Sequence, residues 1–271
     1  MVEVSSYSRD FYERDADVAR ASAAAIVPLV IERVAPRSVI DLGCGRGTWL
    51  AEFARHGVHD YVGVDGEWVS RDLLEIPRER FVAARLDERF RLDRRFDLAV
   101  SLEVAEHLPE SAAKQFVETI VRLAPCALFA AAVPHQGGTH HVNEQWPDYW
   151  AAHFAAHGHL VVDGIRPLIW SNPNVAFFHA QNILIFARPE VIAARPVLVR
   201  DRDRTIESQL CLVHPRLLSR AVTDPGQHLR PPTARDFSLR ETVEALPHVV
   251  ARSLRWRWRR LARNATTSSP R

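Results

Sequence analysis

A glycine-rich turn between an apolar segment and a helical pattern constrains the fold of this chain more than any other feature. Residues 36–47 read Pro-Arg-Ser-Val-Ile-Asp-Leu-Gly-Cys-Gly-Arg-Gly. The segment Ser38–Ile40 predicts a buried strand that ends at Asp41. The apolar spacing of residues 48–56 predicts a helix that stops at Gly57. A strand, a glycine turn and a helix in this order are typical of the first unit of a nucleotide-binding α/β sheet.

The spacing of the glycines indicates which ligand the turn would bind. A dinucleotide fingerprint is Gly-x-Gly-x-x-Gly, whereas this turn reads Asp-x-Gly-x-Gly-x-Gly. That pattern resembles motif I of class I S-adenosylmethionine (SAM) dependent methyltransferases, whose cofactor carries a cationic sulfonium and no phosphate. The resemblance implies these cofactor-binding residues in the turn: Asp41, Gly43, Cys44 and Gly45. A phosphate loop and a glycine turn without a ligand are the alternatives.

Two further acidic residues are predicted to follow strands. Asp60–Asp65 reads as a second strand, and Asp65 comes about 20 residues after the turn, as expected for a carboxylate that binds ribose hydroxyls. Phe81–Asp87 reads as a third strand, and the resemblance implies that Asp87 accepts a hydrogen bond from the adenine amino group. An ordinary turn residue is the alternative interpretation of either aspartate.

The remaining pattern predicts an α/β fold. Further strands are expected over residues 96–103, 127–133, 159–169 and 181–187, and further helices over 109–123 and 147–157. Five β–α alternations closed by two strands predict a three-layer, Rossmann-like methyltransferase sheet that is mostly parallel. The resemblance implies that its last strand is antiparallel.

The chain is predicted to have three parts. Residues 1–35 read as a helical segment that lids the cofactor or packs on the sheet, with a kink or restart at Pro28. Residues 36–188 form the methyltransferase domain, and residues 189–271 form a C-terminal extension with a basic, helical tail. The extension holds 16 arginines against 8 acidic residues, whereas the rest holds 19 basic and 25 acidic residues. The tail could therefore contact an anionic membrane, or simply dock as a helix with a solvated basic face.

Cysteine usage and the N-terminus predict a cytoplasmic protein. The three cysteines, Cys44, Cys126 and Cys211, are isolated in the sequence, which argues against a disulfide framework and a cysteine-ligated zinc site. The N-terminal residues are polar and charged, which is not typical of a signal peptide. The sequence also contains no apolar run long enough to span a bilayer.

The segment Glu103-x-x-Glu106-His107 follows the fourth predicted strand. Spacing of this kind places the three side chains on one face of a helical turn, and carboxylates with an imidazole suit Mg²⁺ or Mn²⁺. The pattern is similar to the one that holds a divalent metal in ubiquinone-pathway O-methyltransferases and small-RNA 2′-O-methyltransferases. Glu103 is also expected to contact the cofactor. The alternative is a metal-free turn in which the acids cap the helix and His107 lies in the core.

A loop rich in histidine follows the fifth predicted strand, from Pro134 to Trp146. Its Gly-Thr-His140 resembles a segment of the ubiquinone-pathway enzymes. Because histidine titrates near neutral pH, His140 is the first candidate for catalytic base or metal ligand, and His141 is the second. Asn143 and Glu144 could orient a histidine or bind substrate. A loop histidine that only bonds to the backbone is the alternative.

The string Asn-Glu-Gln-Trp-Pro-Asp-Tyr-Trp150 resembles bacterial methyltransferases of glycan or secondary-metabolite biosynthesis. Together with motif I, this resemblance implies a SAM-dependent O-methyltransferase that acts on a hydroxyl of a saccharide or related metabolite. Phe177, Phe178 and His179 are candidates for the wall of the acceptor pocket. Expected partners are a small-molecule or glycan acceptor, a membrane surface through the tail, and a second copy of the chain; the acidic body argues against nucleic acid. The alternatives are a metal-free methyltransferase of phenolic or polyketide acceptors and a SAM-binding docking module without catalysis.

Overall fold

A computed structural model describes the backbone of residues 9–223 and the side chains from residue 17 onward, except that of residue 221. Its strands are β1 (Ser38–Leu42), β2 (Asp60–Asp65), β3 (Phe81–Ala83), β4 (Leu98–Leu102), β5 (Cys126–Ala130), β6 (Leu160–Val162) and β7 (Leu184–Ala187). Its α-helices are α1 (Arg9–Val34), α2 (Thr48–Arg55), α3 (Glu110–Leu123), α4 (Pro147–Ala155), α5 (Arg166–Ile169), α6 (Phe177–Asn182), α7 (Pro189–Ala193), α8 (Pro196–Arg204) and α9 (Pro215–Thr223). No helix in this part of the chain is long and apolar enough to cross a membrane.

The strands of the described part form one seven-stranded sheet in the order β3-β2-β1-β4-β5-β7-β6. All neighbouring strands are parallel except that β7 runs antiparallel to both β5 and β6. This topology confirms the predicted mostly parallel sheet. Successive strands are added on one side of β1 as far as β3, and from β4 onward they are added on its other side. Open α/β sheets bind ligands at the carboxyl ends of the strands beside the point where the strand order reverses in this way.

Both faces of the sheet are covered, because alternate residues of each strand point to opposite sides. On one side, Val39 and Leu128 belong to the same apolar cluster as Ile26 of α1 and Phe53 of α2. The opposite cluster combines Ile40 and Phe129 of the sheet with residues of α3 and α4, including Phe116 and Phe154. The three-layer arrangement follows from this apolar content on both faces.

Some predicted element boundaries are wrong. The third strand ends at Ala83 and not at Asp87, because it pairs only with β2 and the chain then turns through an Arg85–Asp87 ion pair of 2.6 Å. The predicted strand over 159–169 covers only residues 160–162, and the strand over 181–187 begins at residue 184. Between them, α5 replaces the end of the predicted strand, and α6 lies where a loop was expected.

Pro28 lies inside one continuous helix, so the expected restart of α1 at that residue is wrong. The ring of a proline removes one backbone donor, but the helix is held by packing, since Ile26, Val27 and Val30 are fully buried. Phe11 and Tyr12 fall in α1, but the side chains of residues 9–16 are outside those described.

The first part of the C-terminal extension packs onto the sheet domain. Leu198, Leu210 and Leu217 are at most 4% exposed. In addition, Arg33 of α1 donates to Asp201 of α8 at 2.8 Å. The predicted basic, helical tail lies outside the described residues, as does Ser238–Glu241, whose Ser-Leu-Arg-Glu sequence is typical of a helix-capping box.

Candidate active site at the carboxyl end of the sheet

A cavity of about 470 Å³ lies at the carboxyl ends of the central strands. Its volume is within the range of roughly 300–1,000 Å³ that is usual for small-molecule sites. Its lining comes from the glycine turn, the start of α2, the segment after β4, the histidine loop, α6 and α9. It includes Gly43, Cys44, Gly45, Arg46, Trp49, Glu103, Glu106, His107, Gln136, Gly138, His141, Phe177, Phe178, His179 and Arg220.

The glycine turn borders this cavity with open backbone at Gly45. The φ angle of Gly45 is +52°, and a side chain added there would have no atom within 4 Å. At Gly43 and Gly47 (φ +89° and +83°), an added Cβ would instead meet Val104 and Ile76 within 3 Å. Glycine at positions 43 and 47 is therefore required by packing, whereas glycine at 45 lets a ligand approach the main chain.

Asp65 ends β2 and ties the glycine turn to that strand. One carboxylate oxygen accepts from the Gly45 N–H at 2.7 Å, and the other accepts from the Gly66 N–H at 2.6 Å. Burial raises the pKa of Asp65, and these two hydrogen bonds oppose the rise. Each oxygen keeps a second lone pair. Asp65 lies beside the turn but is not among the residues that line the cavity.

Asp41 and Cys44 are buried beneath the turn. Burial first, and then the nearby charge of Asp65, raises the pKa of Asp41 to about 8. Its Oδ2 has no hydrogen-bond partner among the described residues. Burial also raises the pKa of the Cys44 thiol. Asp87, by contrast, pairs with Arg85 and lies away from the cavity lining.

Glu103, directly after β4, has a φ angle of +56°, which is rare for a residue with a side chain. Its two carboxylate oxygens accept from Gln136 Nε2 at 2.7 Å and from Asn182 Nδ2 at 3.0 Å. Burial raises the pKa of Glu103, while both amides oppose the rise. A strained residue held in this way is common at functional sites.

The two amides belong to a buried hydrogen-bond network that the sequence did not reveal. Asn182 Nδ2 also donates to Gln136 Oε1 at 2.9 Å, and Gln181 Nε2 donates to Asn182 Oδ1 at 2.9 Å. Gln181 Oε1 accepts from the His214 N–H at 2.7 Å. The network therefore connects Glu103, through α6, to the residue that precedes α9.

Glu106, His107 and His141 form a cluster whose potential metal-ligand atoms all lie within 4.8 Å of one another. Glu106 and His107 lie in a 3₁₀ turn, Ala105–His107, after β4. The N–H groups of Val142 and Asn143 donate to the Glu106 carbonyl at 2.9 and 3.0 Å, which holds the histidine loop against this turn.

Three polar atoms of this cluster, on Glu106 and His107, are buried without a hydrogen-bond partner among the described residues. Glu106 is 0% exposed, and neither of its carboxylate oxygens forms a hydrogen bond of normal geometry with a described residue. Burial first, and then the charge of Glu103, raises the pKa of Glu106 well above its usual value. His107 Nδ1 also lacks a partner in this part of the chain, and burial first, and then the charge of His141, lowers the His107 pKa to about 4.

His141 is oriented by Glu144 and by a neighbouring glycine. The distance from its Nδ1 to Glu144 Oε1 is 2.8 Å. Glu144 also accepts from the N–H groups of His135 and Gly137. Burial works to raise the Glu144 pKa, but these hydrogen bonds lower it overall. A Cβ added at Gly138 would lie 2.2 Å from His141 Nε2, so a side chain at 138 would displace the ring.

The two candidate histidines of the loop are thus separated. His141 lines the cavity, whereas His140 is exposed, has a φ angle of +61° and is not part of the lining. Glu103 lines the cavity beside the cluster, but both its oxygens are used by amides. The geometric cluster therefore contains two of the three predicted metal ligands, Glu106 and His107, with His141 in place of Glu103.

Aromatic side chains line the same cavity as the glycine turn. His179 is 5% exposed, and its ring packs edge-on against Trp49 of α2, with the two ring centroids 5.3 Å apart. Burial lowers the pKa of His179 to about 3, so its ring is neutral. The ring centroids of Phe178 and His179 lie 4.6 Å apart. Trp49 was missed because its position in the helix also fits an ordinary core residue.

Comparisons with known proteins agree with this geometry. The profile of a protein family described as "Methyltransferase domain" matches residues 12–165. Among solved structures, DesVI from Streptomyces venezuelae has a TM-score of 0.50 and 16% identity, and the alignment covers 69% of this chain and 99% of DesVI. The sugar N-methyltransferase KedS8 from a Streptoalloteichus species has a TM-score of 0.51 and 17% identity, with coverages of 67% and 92%. No match was found among curated proteins.

Proposed function

This chain belongs to the methyltransferase-domain family and is a class I SAM-dependent methyltransferase, and from that premise we propose that it methylates a hydroxyl oxygen with the help of a divalent metal ion. The acceptor that we propose is a saccharide or a related hydroxyl-rich metabolite. The observation that carries the proposal is the cluster of Glu106, His107 and His141 in the cavity that the glycine turn borders.

The glycine turn fits a cationic cofactor. Gly45 presents open backbone to the cavity, and the unpartnered Oδ2 of Asp41 lies below it. We propose that Gly43, Cys44, Gly45 and Glu103, which line the cavity, contact SAM, with Asp41 beneath them. Asp65 would bind the ribose through its remaining lone pairs. Asp87, which is not part of the lining, would face the adenine.

The cluster also fits a metal ion. A buried carboxylate without hydrogen bonds costs several kcal/mol unless an opposite charge compensates it. Among the described residues, neither Glu106 oxygen has a hydrogen bond of normal geometry, and His107 Nδ1 has no partner. Because Nδ1 of His141 interacts with Glu144, its Nε2 is left to face the ion, and a carboxylate behind a histidine is a usual support for a metal ligand. When bound, Mg²⁺ or Mn²⁺ would lower the pKa of the acceptor hydroxyl.

The residues of this chain have distinct proposed roles around the hydroxyl. Glu106, His107 and His141 hold the ion, and Glu144 keeps the His141 ring in place. Glu103, fixed by Gln136 and Asn182, offers carboxylate oxygens at the wall shared by cofactor and acceptor. The geometry supports His141 better than His140, because only His141 lines the cavity.

A metal-free reaction is the second candidate, and the His141–Glu144 pair favours it specifically. A histidine whose Nδ1 is held by a carboxylate can accept a proton at Nε2 from an attacking hydroxyl. Such a site would suit a phenolic or polyketide acceptor, whose hydroxyl is more acidic than that of a sugar. The two candidates therefore differ in the role of the same imidazole.

The test measures Mn²⁺ binding and methyl transfer in the same variants. We expect Glu106→Gln to weaken Mn²⁺ binding at least about tenfold, because a coordinating charge is lost, and to abolish transfer to saccharide acceptors. Glu110→Gln, an exposed carboxylate in the first turn of α3, is the matched control and should change neither. Binding of S-adenosylhomocysteine should persist in both variants, which shows that the fold is intact.

The opposite pattern would support the metal-free candidate. In that case transfer by the wild-type protein continues in EDTA, Glu106→Gln stays active, and His141→Gln is inactive towards phenolic acceptors. Retained S-adenosylhomocysteine binding without transfer to any acceptor of either class would instead identify a non-catalytic docking module.

A further inference from the structure

We propose that α9 carries an anion-binding site for a phosphate-bearing acceptor, formed by Arg216 and Arg220 on either side of Phe177. The inference rests on the proposed function in one respect: the cavity bordered by the cluster must be where the acceptor binds. It adds the chemical class of a second group on that acceptor, a phosphate ester or a pyrophosphate.

The position of α9 is fixed by contacts at its start. The His214 N–H donates to Gln181 Oε1 at 2.7 Å, and His214 Nε2 lies 2.9 Å from the Trp170 carbonyl. Leu217, 4% exposed, packs in an apolar cluster with Val133 and Phe177. Because the helix is held at these points, its arginines project from a defined surface.

The two arginines line two neighbouring cavities that share one wall. Arg220 lines the large cavity, and its guanidinium carbon lies 5.1 Å from the ring centroid of Phe177. Arg216 lines a smaller cavity of about 140 Å³, of which Phe177 is also a wall. Residues four apart on a helix lie on the same face, with Cβ atoms roughly 5–6 Å apart. One dianionic group could therefore contact both guanidinium groups.

Neither guanidinium pairs with a carboxylate in the part of the chain that the structure describes. Arg46, another arginine of the large cavity, is by contrast already engaged: its Nε donates to the Leu73 carbonyl at 2.8 Å and lies 3.7 Å from Glu75. A guanidinium packed on an aromatic face keeps its N–H edge available. Paired N–H groups match the oxygens of phosphate closely.

The location favours the acceptor over the carboxylate of SAM. The smaller cavity is lined by Trp170, Asn172, His214 and their neighbours, and it includes no residue of the glycine turn. A group placed between Arg216 and Arg220 therefore lies across Phe177, on the wall built by α6 and α9. This anion site and the proposed acceptor cavity share Phe177 as a common wall.

Pyrophosphate is the probe, titrated into the full-length protein in EDTA so that no divalent ion contributes. We expect Arg216→Gln and Arg220→Gln each to weaken pyrophosphate binding about tenfold, as expected for the loss of one hydrogen-bonded charge. Arg200→Gln is the matched control, since Arg200 is an exposed arginine of α8 that lines neither cavity. The affinity for S-adenosylhomocysteine should not change in any variant.

Three results would overturn the inference. The first is that the wild type binds pyrophosphate no more tightly than a variant that carries both Arg216→Gln and Arg220→Gln. The second is that Arg200→Gln weakens pyrophosphate binding equally. The third is that Arg220→Gln also weakens S-adenosylhomocysteine binding, which would assign this arginine to the cofactor. Because no metal or methyl transfer enters the measurement, failure here leaves the proposed function intact. Conversely, a metal-independent enzyme would leave the anion site intact.

Discussion

At the scale of single residues, the acids near the strand ends differ because their hydrogen-bond partners differ. Asp65 receives two backbone N–H groups and Glu103 receives two side-chain amides. Glu106 receives no hydrogen bond of normal geometry from the described residues, and Asp41 has one oxygen without a partner there. Burial raises the pKa of all four acids, and the hydrogen-bond donors of Asp65 and Glu103 oppose that rise.

Asp41 provides a prediction about pH and stability. Its pKa is raised from 3.8 to about 8 in the folded protein, so the native state holds a proton that the unfolded state loses. The stabilising contribution is complete below about pH 4 and is lost progressively as the pH rises to about 8. Asp41→Asn removes this titration, so we expect the variant to gain stability relative to the wild type between pH 4 and pH 8.

Thermal unfolding of both proteins without ligand, measured from pH 4 to pH 9, tests this expectation. The difference between the two melting temperatures should change through this range and become constant above about pH 8. Parallel curves would mean that Asp41 is ionised throughout in the folded protein, and that the neighbouring charge of Asp65 is compensated in some other way.

At the scale of elements, a buried arginine decides how the segment after β6 folds. Arg166 is 1% exposed and makes two hydrogen bonds to Asp163, at 2.9 and 2.6 Å. It also donates to the carbonyls of Gln181 and Leu210. The bonds to Asp163 hold the first residue of α5 at a position where the sequence pattern predicted a continued strand. The bonds to Gln181 of α6 and Leu210 of the extension attach both of these segments to the Arg166 side chain.

We expect Arg166→Met to destabilise the protein by about 3–5 kcal/mol, because it leaves Asp163 and two carbonyls without their donor. Arg166→Lys should recover only part of the loss, since a lysine cannot reproduce the planar pair of bonds. Urea unfolding followed by circular dichroism measures the change. Arg37→Met is the control, as that side chain is 92% exposed and should have almost no effect. A loss at residue 166 no larger than at residue 37 would contradict the role assigned to the buried pair.

At the scale of the whole molecule, the extension is continuous with the catalytic domain up to α9. The contacts group the chain up to Asp224 in one compact unit. Arg33 pairs with Asp201 across α1 and α8, and a Cβ at Gly164 would meet the same carboxylate at 2.1 Å. The boundary predicted at residue 188 remains a prediction, but α8 and α9 supply buried side chains to the domain.

Truncation should therefore depend sharply on position. A chain that ends at residue 224 is expected to fold and to bind S-adenosylhomocysteine like the full-length protein. A chain that ends at residue 188 loses buried Leu198 and Leu210 and the Asp201 partner of Arg33, so we expect it to be insoluble or to melt well below the longer chain. Calorimetry and thermal unfolding of both truncated chains test this expectation; equal melting temperatures would show that the extension is an independent appendage.

The sequence was sufficient for the features that depend on local pattern. The glycine spacing, the alternation of apolar strands and helices, and acids placed directly after strands predicted the sheet, its order of elements and the turn beside the cavity. These features could be read because backbone conformation at glycine and the burial of alternate residues are imposed locally. The predicted cluster of Glu106 and His107 likewise needed only their spacing in one short turn.

The tertiary structure alone decided which distant residues complete the site. Gln136 and Asn182 hold Glu103, His141 and not His140 faces Glu106, and Arg220 reaches the cavity from a helix more than 170 residues after the glycine turn. Such pairings are set by how helices pack on the sheet and by which loop histidine the backbone turns inward. Neither property leaves a period or a spacing in the sequence, because both depend on contacts between residues far apart in the chain.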